Sequence, residues 1–266
     1  VDCAHGATAP WAPGLLRGPG VEFLGVPADG KRINVGVGST HLEALQEKVR
    51  ETGADAGLAF DGDGDRCLFV DGGGEVLDGD QLVWLLAQDL HQAHAPLPGV
   101  VGTLMSNGGL EQALHGLGIR FVRTQVGDKF MLRELGKRGW DLAAEASGHI
   151  IQKHQGPSGD GLATAIACLQ ALLHKSPEQR WAWKFAPWPL KLVNITARAR
   201  RPVQDCEGLQ RVVAELKSVH GETLRVVVRW SGTEPKLRLM VEARDEAAMA
   251  AALRRLEGAA RSDLGL

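Results

Sequence analysis

The segment Asp61-Gly62-Asp63-Gly64-Asp65-Arg66 sets three carboxylates at alternate positions between two strand-like runs, 56–60 and 67–70. Residues two apart in extended backbone point the same way, and the intervening glycines let the chain curl, so the three side chains can converge. Converged carboxylates repel one another unless a cation neutralises them, and hard oxygen donors favour magnesium or calcium over zinc. The loop is not an EF-hand: the glycine and glutamate that motif requires are replaced by Arg66 and Gly72. Asp-Gly pairs also favour hairpin turns, but a turn requires neither three aspartates nor the arginine beside them. Asp61, Asp63 and Asp65 are therefore candidate ligands for Mg2+, and Arg66 is placed to grip phosphate oxygens with its guanidinium fork.

A second set lies near the other end of the chain, in Arg229-Trp230-Ser231-Gly232-Thr233-Glu234-Pro235, with Arg238 shortly after. Two hydroxyls on a glycine-opened backbone, flanked by arginines, suit one anion. The same residues also suit a plain strand connection rich in turn formers. Glu145-Ala146-Ser147-Gly148-His149 offers a carboxylate, a hydroxyl and an imidazole within five residues. These groups suit sugar hydroxyls, and His149 can exchange a proton near neutral pH; an exposed polar strand end is the plainer alternative. Gly127-Asp128-Lys129 and Ser158-Gly159-Asp160-Gly161 are weaker signals, read equally well as a surface turn and a helix cap.

The elements that must position these groups alternate between strand-like and helix-like patterns, which is the mark of α/β architecture. Residues 21–26, 56–60 and 67–70 read as strands, 41–51 as an amphipathic helix with Thr40 as its N-cap, and 80–91 as a helix. Pro96 and Pro98 suggest a boundary, giving a first module over 1–96. The second, 97–180, reads as strands at 100–104, 120–126 and 141–144, with helices at 109–117, 129–138 and 161–174. The last of these helices carries Leu162, Ile166, Leu169 and Leu173 on one face. A linker over 176–189, rich in Pro177, Pro187, Pro189, Trp181, Trp183 and Trp188, reads as a segment docked by its indoles. The third module, 190–266, reads as strands at 192–197, 224–229 and 237–241, with helices at 206–217 and 245–259.

A net charge of −2 over 266 residues supplies no global basic field to attract nucleic acid. The short run Arg198, Arg200 and Arg201 reads as a solvated face. Cys3, Cys67, Cys168 and Cys206 are scattered, which argues against a zinc site or a disulfide scaffold and for a reducing cytoplasm. No apolar run is long enough for a membrane helix, and no signal peptide is apparent. The first residues, Val1-Asp2-Cys3, read as a strand already under way, which suggests an excerpt of a longer protein.

The three motifs, in this order and spacing, resemble the α-D-phosphohexomutase superfamily, and the resemblance covers essentially the whole chain. Residues 61–66 are similar to its metal-binding loop, 145–149 to its sugar-recognition loop and 229–235 to its phosphate-binding loop. Residues 1–8, Gly102-Thr103-Leu104-Met105-Ser106-Asn107 and Val126-Gly127-Asp128-Lys129-Phe130 resemble the bacterial branch that acts on glucosamine phosphates. His5, Ala146 and Trp230 depart from that branch, where Asn, Asn and Lys are usual.

The resemblance implies successive α/β/α layered domains followed by a smaller α+β domain, here domains two, three and four. It implies a missing N-terminal domain bearing a phosphoserine in a Ser-His-Asn-Pro context, a sequence not found here. The implied reaction moves a phosphoryl group between the 6- and 1-positions of a hexosamine phosphate through a 1,6-bisphosphate, with mannose or glucose phosphates as alternative substrates. In it, Asp61, Asp63 and Asp65 hold Mg2+, and Arg66 and His149 are catalytic. Gly127, Asp128, Glu145, Ser147 and His149 hold the sugar, and Arg229, Ser231, Gly232, Thr233 and Arg238 hold the resting phosphate. The excerpt alone is expected to be inactive, with a second copy of the chain a candidate partner. Two readings from other classes are a non-catalytic sugar-phosphate sensor and a phosphatase with Asp61 as nucleophile.

Overall fold

The computed structural model describes residues 1–93, 97–176, 179–232 and 234–266; Pro96, Pro177 and Thr233, singled out above, lie outside them. Two compact units are present: residues 1–106 with 110–185, and residues 186–266 with 107–109.

The first unit holds two sheets. Strands β1 (Ala56–Phe60), β2 (Cys67–Asp71) and β3 (Val76–Leu77) form an antiparallel sheet in that order. Phe60 pairs with Cys67, so residues 61–66 are the connection between β1 and β2. A short helical turn, α1 (Ala12–Leu15), precedes helix α2 (Glu43–Thr52), which lays Leu45 and Val49 against Ala59 and Val70. Thr40 does not cap α2; Leu42 occupies the N-cap and no side chain bonds there. Residues 21–26 do not form the expected strand. Leu24 alone makes a bridge, to Asp2, and Pro27 has no N–H to extend a ladder.

In the second sheet β5 (Arg120–Thr124), β4 (Gly99–Thr103) and β6 (Leu142–Ala144) run parallel, and β7 (Ile150–Gln152) is antiparallel to β6. Strand β7, like β3, is too short for its periodicity to stand out in the sequence. Helices α3 (Gly79–Ala93), α4 (Gly108–Gly116), α5 (Asp128–Arg138) and α6 (Gly161–Leu173) accompany the sheets. Helix α3 packs on β2 and β3 as well as β6 and α6, so one apolar core runs through both sheets, from Phe60 and Phe69 through Leu82 and Leu85 to Leu114 and Leu142.

Asp160 caps α6, accepting from the Ala163 N–H at 2.9 Å. Of the stripe on α6, Leu162 and Leu169 pack half-buried against the core, while Leu173 is 75% exposed and the fully buried positions are Gly161, Thr164, Ala165, Cys168, Ala171 and Leu172. Small side chains let α6 approach α3, β1, β2 and β7 closely. The tryptophan-rich segment docks as expected. Trp183 and Phe185 join the core, and the Trp84 indole N–H donates to the Trp183 carbonyl at 2.8 Å.

The second unit is an antiparallel sheet in the order β8 (Leu190–Thr196), β10 (Lys236–Ala243), β9 (Leu224–Trp230). Helices α7 (Glu207–His220) and α8 (Glu246–Leu264) pack on each other and on the sheet. Leu209, Leu216, Leu239, Val241, Leu253 and Leu256 form its core. Layered α/β modules followed by a smaller α+β unit are the expected class. No helix among the described residues is long and apolar enough to cross a membrane.

Candidate active site

Pairing of Phe60 with Cys67 pinches the ends of the acidic loop together. One oxygen each of Asp61, Asp63 and Asp65 then lies within 4.8 Å of the others. Asp61 is 6% exposed. Burial first, then hydrogen bonds that protonated Asp61 donates to Asp63 and Asp65, push its carboxyl up to about 7, as expected where negative charge is crowded out of water. Asp65 Oδ1 is buried with no hydrogen-bond partner. Hard oxygens, crowding and an unsatisfied acceptor fit a divalent cation such as Mg2+. The Arg66 side chain leans on this cluster, its Nε 3.5 Å from Asp61 Oδ2 and 3.6 Å from Asp65 Oδ1, while its backbone N–H donates to Asp61 Oδ1 at 3.1 Å.

Strands β6 and β7 form a tight hairpin whose turn is 145–149, so Glu145 and His149 stand opposite each other; the Glu145 N–H donates to the His149 carbonyl at 2.9 Å. This turn docks on the acidic loop. Arg66 and His149 bridge through their backbones, and the Cys67 N–H donates to the Gly148 carbonyl at 3.1 Å. Gly148 has φ +92°, and a Cβ there would lie 2.5 Å from the Cys67 carbonyl oxygen. His149 Nδ1 sits 3.0 Å from Asp65 Oδ2, and its Nε2 is buried with no partner. One hydrogen bond thus joins the imidazole of the 145–149 turn to a carboxylate of the acidic loop.

Glu145 Oε1 accepts the Gly127 N–H at 2.8 Å and Glu145 Oε2 accepts the Ser147 hydroxyl at 3.3 Å. Gly127, Glu145, Ser147 and His149 are therefore gathered with Arg66 and the three aspartates in the first unit. Asp128 is turned elsewhere: its carboxylate accepts the N–H of Lys129 at the start of α5 and is exposed.

In the second unit β9 and β10 form a hairpin in which Arg229 pairs directly with Arg238. Like charges directly opposite destabilise a ladder, and a bound anion removes that cost. Ser231 is 2% exposed, with its Oγ 3.4 Å from Arg238 Nη2. Arg238 Nε is buried and has no hydrogen-bond partner, while Gly232 is exposed at the tip. The run Arg198, Arg200, Arg201 is more than a solvated face. Arg200 donates to the Gly232 and Glu234 carbonyls at 3.0 and 3.1 Å, and the Trp230 indole donates to the Arg201 carbonyl at 2.7 Å.

Supports the motifs did not reveal include Asp2, fully buried, whose carboxylate accepts the Ala4 and Gly38 N–H groups at 2.9 and 2.7 Å. The Ala7 N–H donates to the Gly62 carbonyl at 2.9 Å, and the Gly161 N–H to the Gly64 carbonyl at 2.9 Å. Gly159 lies flat on the His149 ring, where a Cβ would be 2.5 Å from Cε1. The glycine density of both loops is the one sequence signal for these approaches.

Three family models match the chain: phosphoglucomutase/phosphomannomutase alpha/beta/alpha domain II over residues 1–74, alpha/beta/alpha domain III over 78–184 and the C-terminal domain over 192–258. Among curated relatives, phosphoglucosamine mutase of Xylella fastidiosa (strain M12) is 47% identical over 262 residues, covering 96% of this chain and 58% of the relative. That of Cellvibrio japonicus (strain Ueda107) is 43% identical over 255 residues, covering 93% and 56%. This chain therefore spans little more than half the length of these relatives. Among solved structures, a phosphoglucomutase/phosphomannomutase family protein of Burkholderia thailandensis aligns at TM-score 0.77 with 22% identity, covering 98% of this chain and 59% of that one. Aspergillus fumigatus N-acetylphosphoglucosamine mutase, in complex with GlcNAc-6P and magnesium, aligns at TM-score 0.74 with 21% identity, covering 97% and 64%. These two likenesses bear on the fold.

Proposed function

From the phosphoglucomutase/phosphomannomutase family, to which this chain belongs, we propose that it forms domains two, three and four of a phosphoglucosamine mutase. The whole protein would interconvert glucosamine 6-phosphate and glucosamine 1-phosphate through a phosphoserine and a 1,6-bisphosphate. The product would feed UDP-N-acetylglucosamine and peptidoglycan precursor synthesis. The observation that carries this reading is the Asp65–His149 hydrogen bond at 3.0 Å. It unites a metal-binding cluster and a hydroxyl-binding hairpin in one site, as phosphoryl transfer to a sugar requires.

Asp61, Asp63 and Asp65 would hold Mg2+, which supplies neutralisation of the charge that develops on the transferring phosphoryl group. Arg66 and His149 are the catalytic candidates in this chain. Arg66, already against the cluster, would exchange carboxylate oxygens for phosphate oxygens. His149, held by Asp65 at Nδ1, presents Nε2 for a proton of a substrate hydroxyl. Glu145, fixed by Gly127 and Ser147, would accept hydroxyl protons of the sugar, with Asp128 at the neighbouring helix start. Arg229, Ser231, Gly232, Thr233 and Arg238 would hold the phosphate that is not being transferred. The phosphoserine belongs to an N-terminal domain of the same protein.

The test is turnover by the whole protein of glucosamine 6-phosphate, mannose 6-phosphate and glucose 6-phosphate side by side. Glucosamine 6-phosphate is expected to be fastest, and the 266-residue chain by itself is expected to turn over none of them. A preference for mannose or glucose phosphate would move the protein to another branch. Robust turnover by this chain alone would overturn the role given to the N-terminal domain.

A further inference from the structure

Three features of the second unit were not foreseen by the phosphate-loop motif. Arg200, in the connection between β8 and α7, donates from one terminal nitrogen, Nη2, to two backbone carbonyls of the β9–β10 loop, Gly232 at 3.0 Å and Glu234 at 3.1 Å. In return the Trp230 indole N–H donates to the Arg201 carbonyl at 2.7 Å. The loop and the 200–201 segment therefore exchange hydrogen bonds in both directions. Below them the Ala197 N–H donates to the Pro235 carbonyl at 3.0 Å, continuing the β8–β10 pairing to the foot of the loop.

An anion site needs N–H and hydroxyl donors turned inward and carbonyl oxygens turned away, since a carbonyl dipole aimed at an anion repels it. Glycine-opened backbone does not choose between those orientations by itself. A guanidinium on the outside of the loop does choose, because it captures the carbonyls. Gly232 is exposed and makes no ladder contact that would hold it.

We infer that Arg200, with Trp230, is a positioning residue for the phosphate-binding loop: it draws the Gly232 and Glu234 carbonyls outward and so presents the loop to an anion before one binds. The inference rests on the reading of this loop as a phosphate site. Arg200 acts on backbone carbonyls rather than on the ligand, so its two-carbonyl geometry matters and its charge alone does not suffice. Lysine reproduces the charge as a compact ammonium on a flexible stem, without the planar guanidinium that holds the two carbonyls here.

The test is inorganic phosphate binding to the whole chain, followed by amide NMR shifts of the β9–β10 loop, for the unaltered chain and for Arg200→Ala, Arg200→Lys, Trp230→Phe and Ser231→Ala. Thermal midpoints are measured without phosphate. Arg200→Ala is expected to weaken phosphate about fivefold to tenfold, Arg200→Lys to recover less than half of that loss, and Trp230→Phe to weaken it about twofold. Midpoints of the two Arg200 variants should stay at that of the unaltered chain, because Arg200 is exposed. Ser231→Ala marks binding at this loop by weakening it. Full affinity in Arg200→Lys, or unaltered affinity in Arg200→Ala, overturns the inference while the phosphate site stands. No phosphate binding by the unaltered, folded chain, or shifts confined to residues outside this loop, overturns the phosphate reading and the inference with it.

Discussion

The acidic loop 61–66 and the basic loop 229–235 are both hairpin-like connections between antiparallel strands, yet they are held in opposite ways. The basic loop is supported by its own ladder and by an exposed strap from residues 200–201. The acidic loop is held from several sides, with Asp61 buried and Asp63 left exposed at its tip. The turn of residues 1–9 lies on one side and the 145–149 turn on another, with the start of α6 closing on Gly64. Charge follows the same division. Burial, then its acidic neighbours Asp63 and Asp65, push Asp61 toward protonation, whereas the half-buried Arg229 and Arg238 keep part of their charge in contact with water. The acidic site thus needs tertiary packing to force the charges together and a cation to make that tolerable. The basic loop needs strand register alone to bring Arg229 opposite Arg238.

On that contrast, the largest effect falls on the acidic loop. Asp63→Ala in the whole protein should lower mutase turnover about a thousandfold while leaving the thermal midpoint equal or higher, since it removes a repelling carboxylate. Unchanged turnover would end the metal assignment. Next is Gly148→Ala, which introduces a Cβ at positive φ against the Cys67 carbonyl. It should cost about 2–3 kcal/mol in chemical denaturation; a cost near zero would mean the hairpin does not need its tight seat on the acidic loop.

Arg238→Ala should weaken inorganic phosphate about tenfold without lowering the stability of the phosphate-free chain, because an opposed charge pair is relieved. Lower stability would show that the arginine pair is not a liability awaiting an anion. The smallest effect is a slope with pH. Metal-free, Asp61 keeps a proton in the folded chain up to about 7, whereas an unfolded aspartate loses it near ~4. The folded state binds the extra proton between those values, so stability falls as pH rises through that window. Mg2+ should flatten the slope in urea titrations at several pH values, and an identical slope with and without it would break the link between crowding and the metal.

Much of this was legible in residue order. Alternating carboxylates with glycine spacers declare a convergent acidic loop, and the strands on either side of it, 56–60 and 67–70, are apolar enough to read directly. Asp160 before Gly161 announces a capped helix start. The failures share a cause. Leu173 lies on the same face as Leu162 and Leu169 but is exposed, while the small residues of α6 are its fully buried positions, and a packing distance is not written in hydrophobicity. Strand β7 is three residues long, below the length at which alternation can be seen. Arg200 reads as surface charge because its partners are carbonyls, which every residue carries.

Residue order dictates which chemical groups the protein has and how closely each set is strung, because side-chain type and backbone freedom are local properties. Tertiary structure alone decided that the Glu145–His149 turn reaches the Asp61–Asp65 loop. That contact links residues 84 positions apart in the chain, and only the common apolar core beneath both loops brings them together.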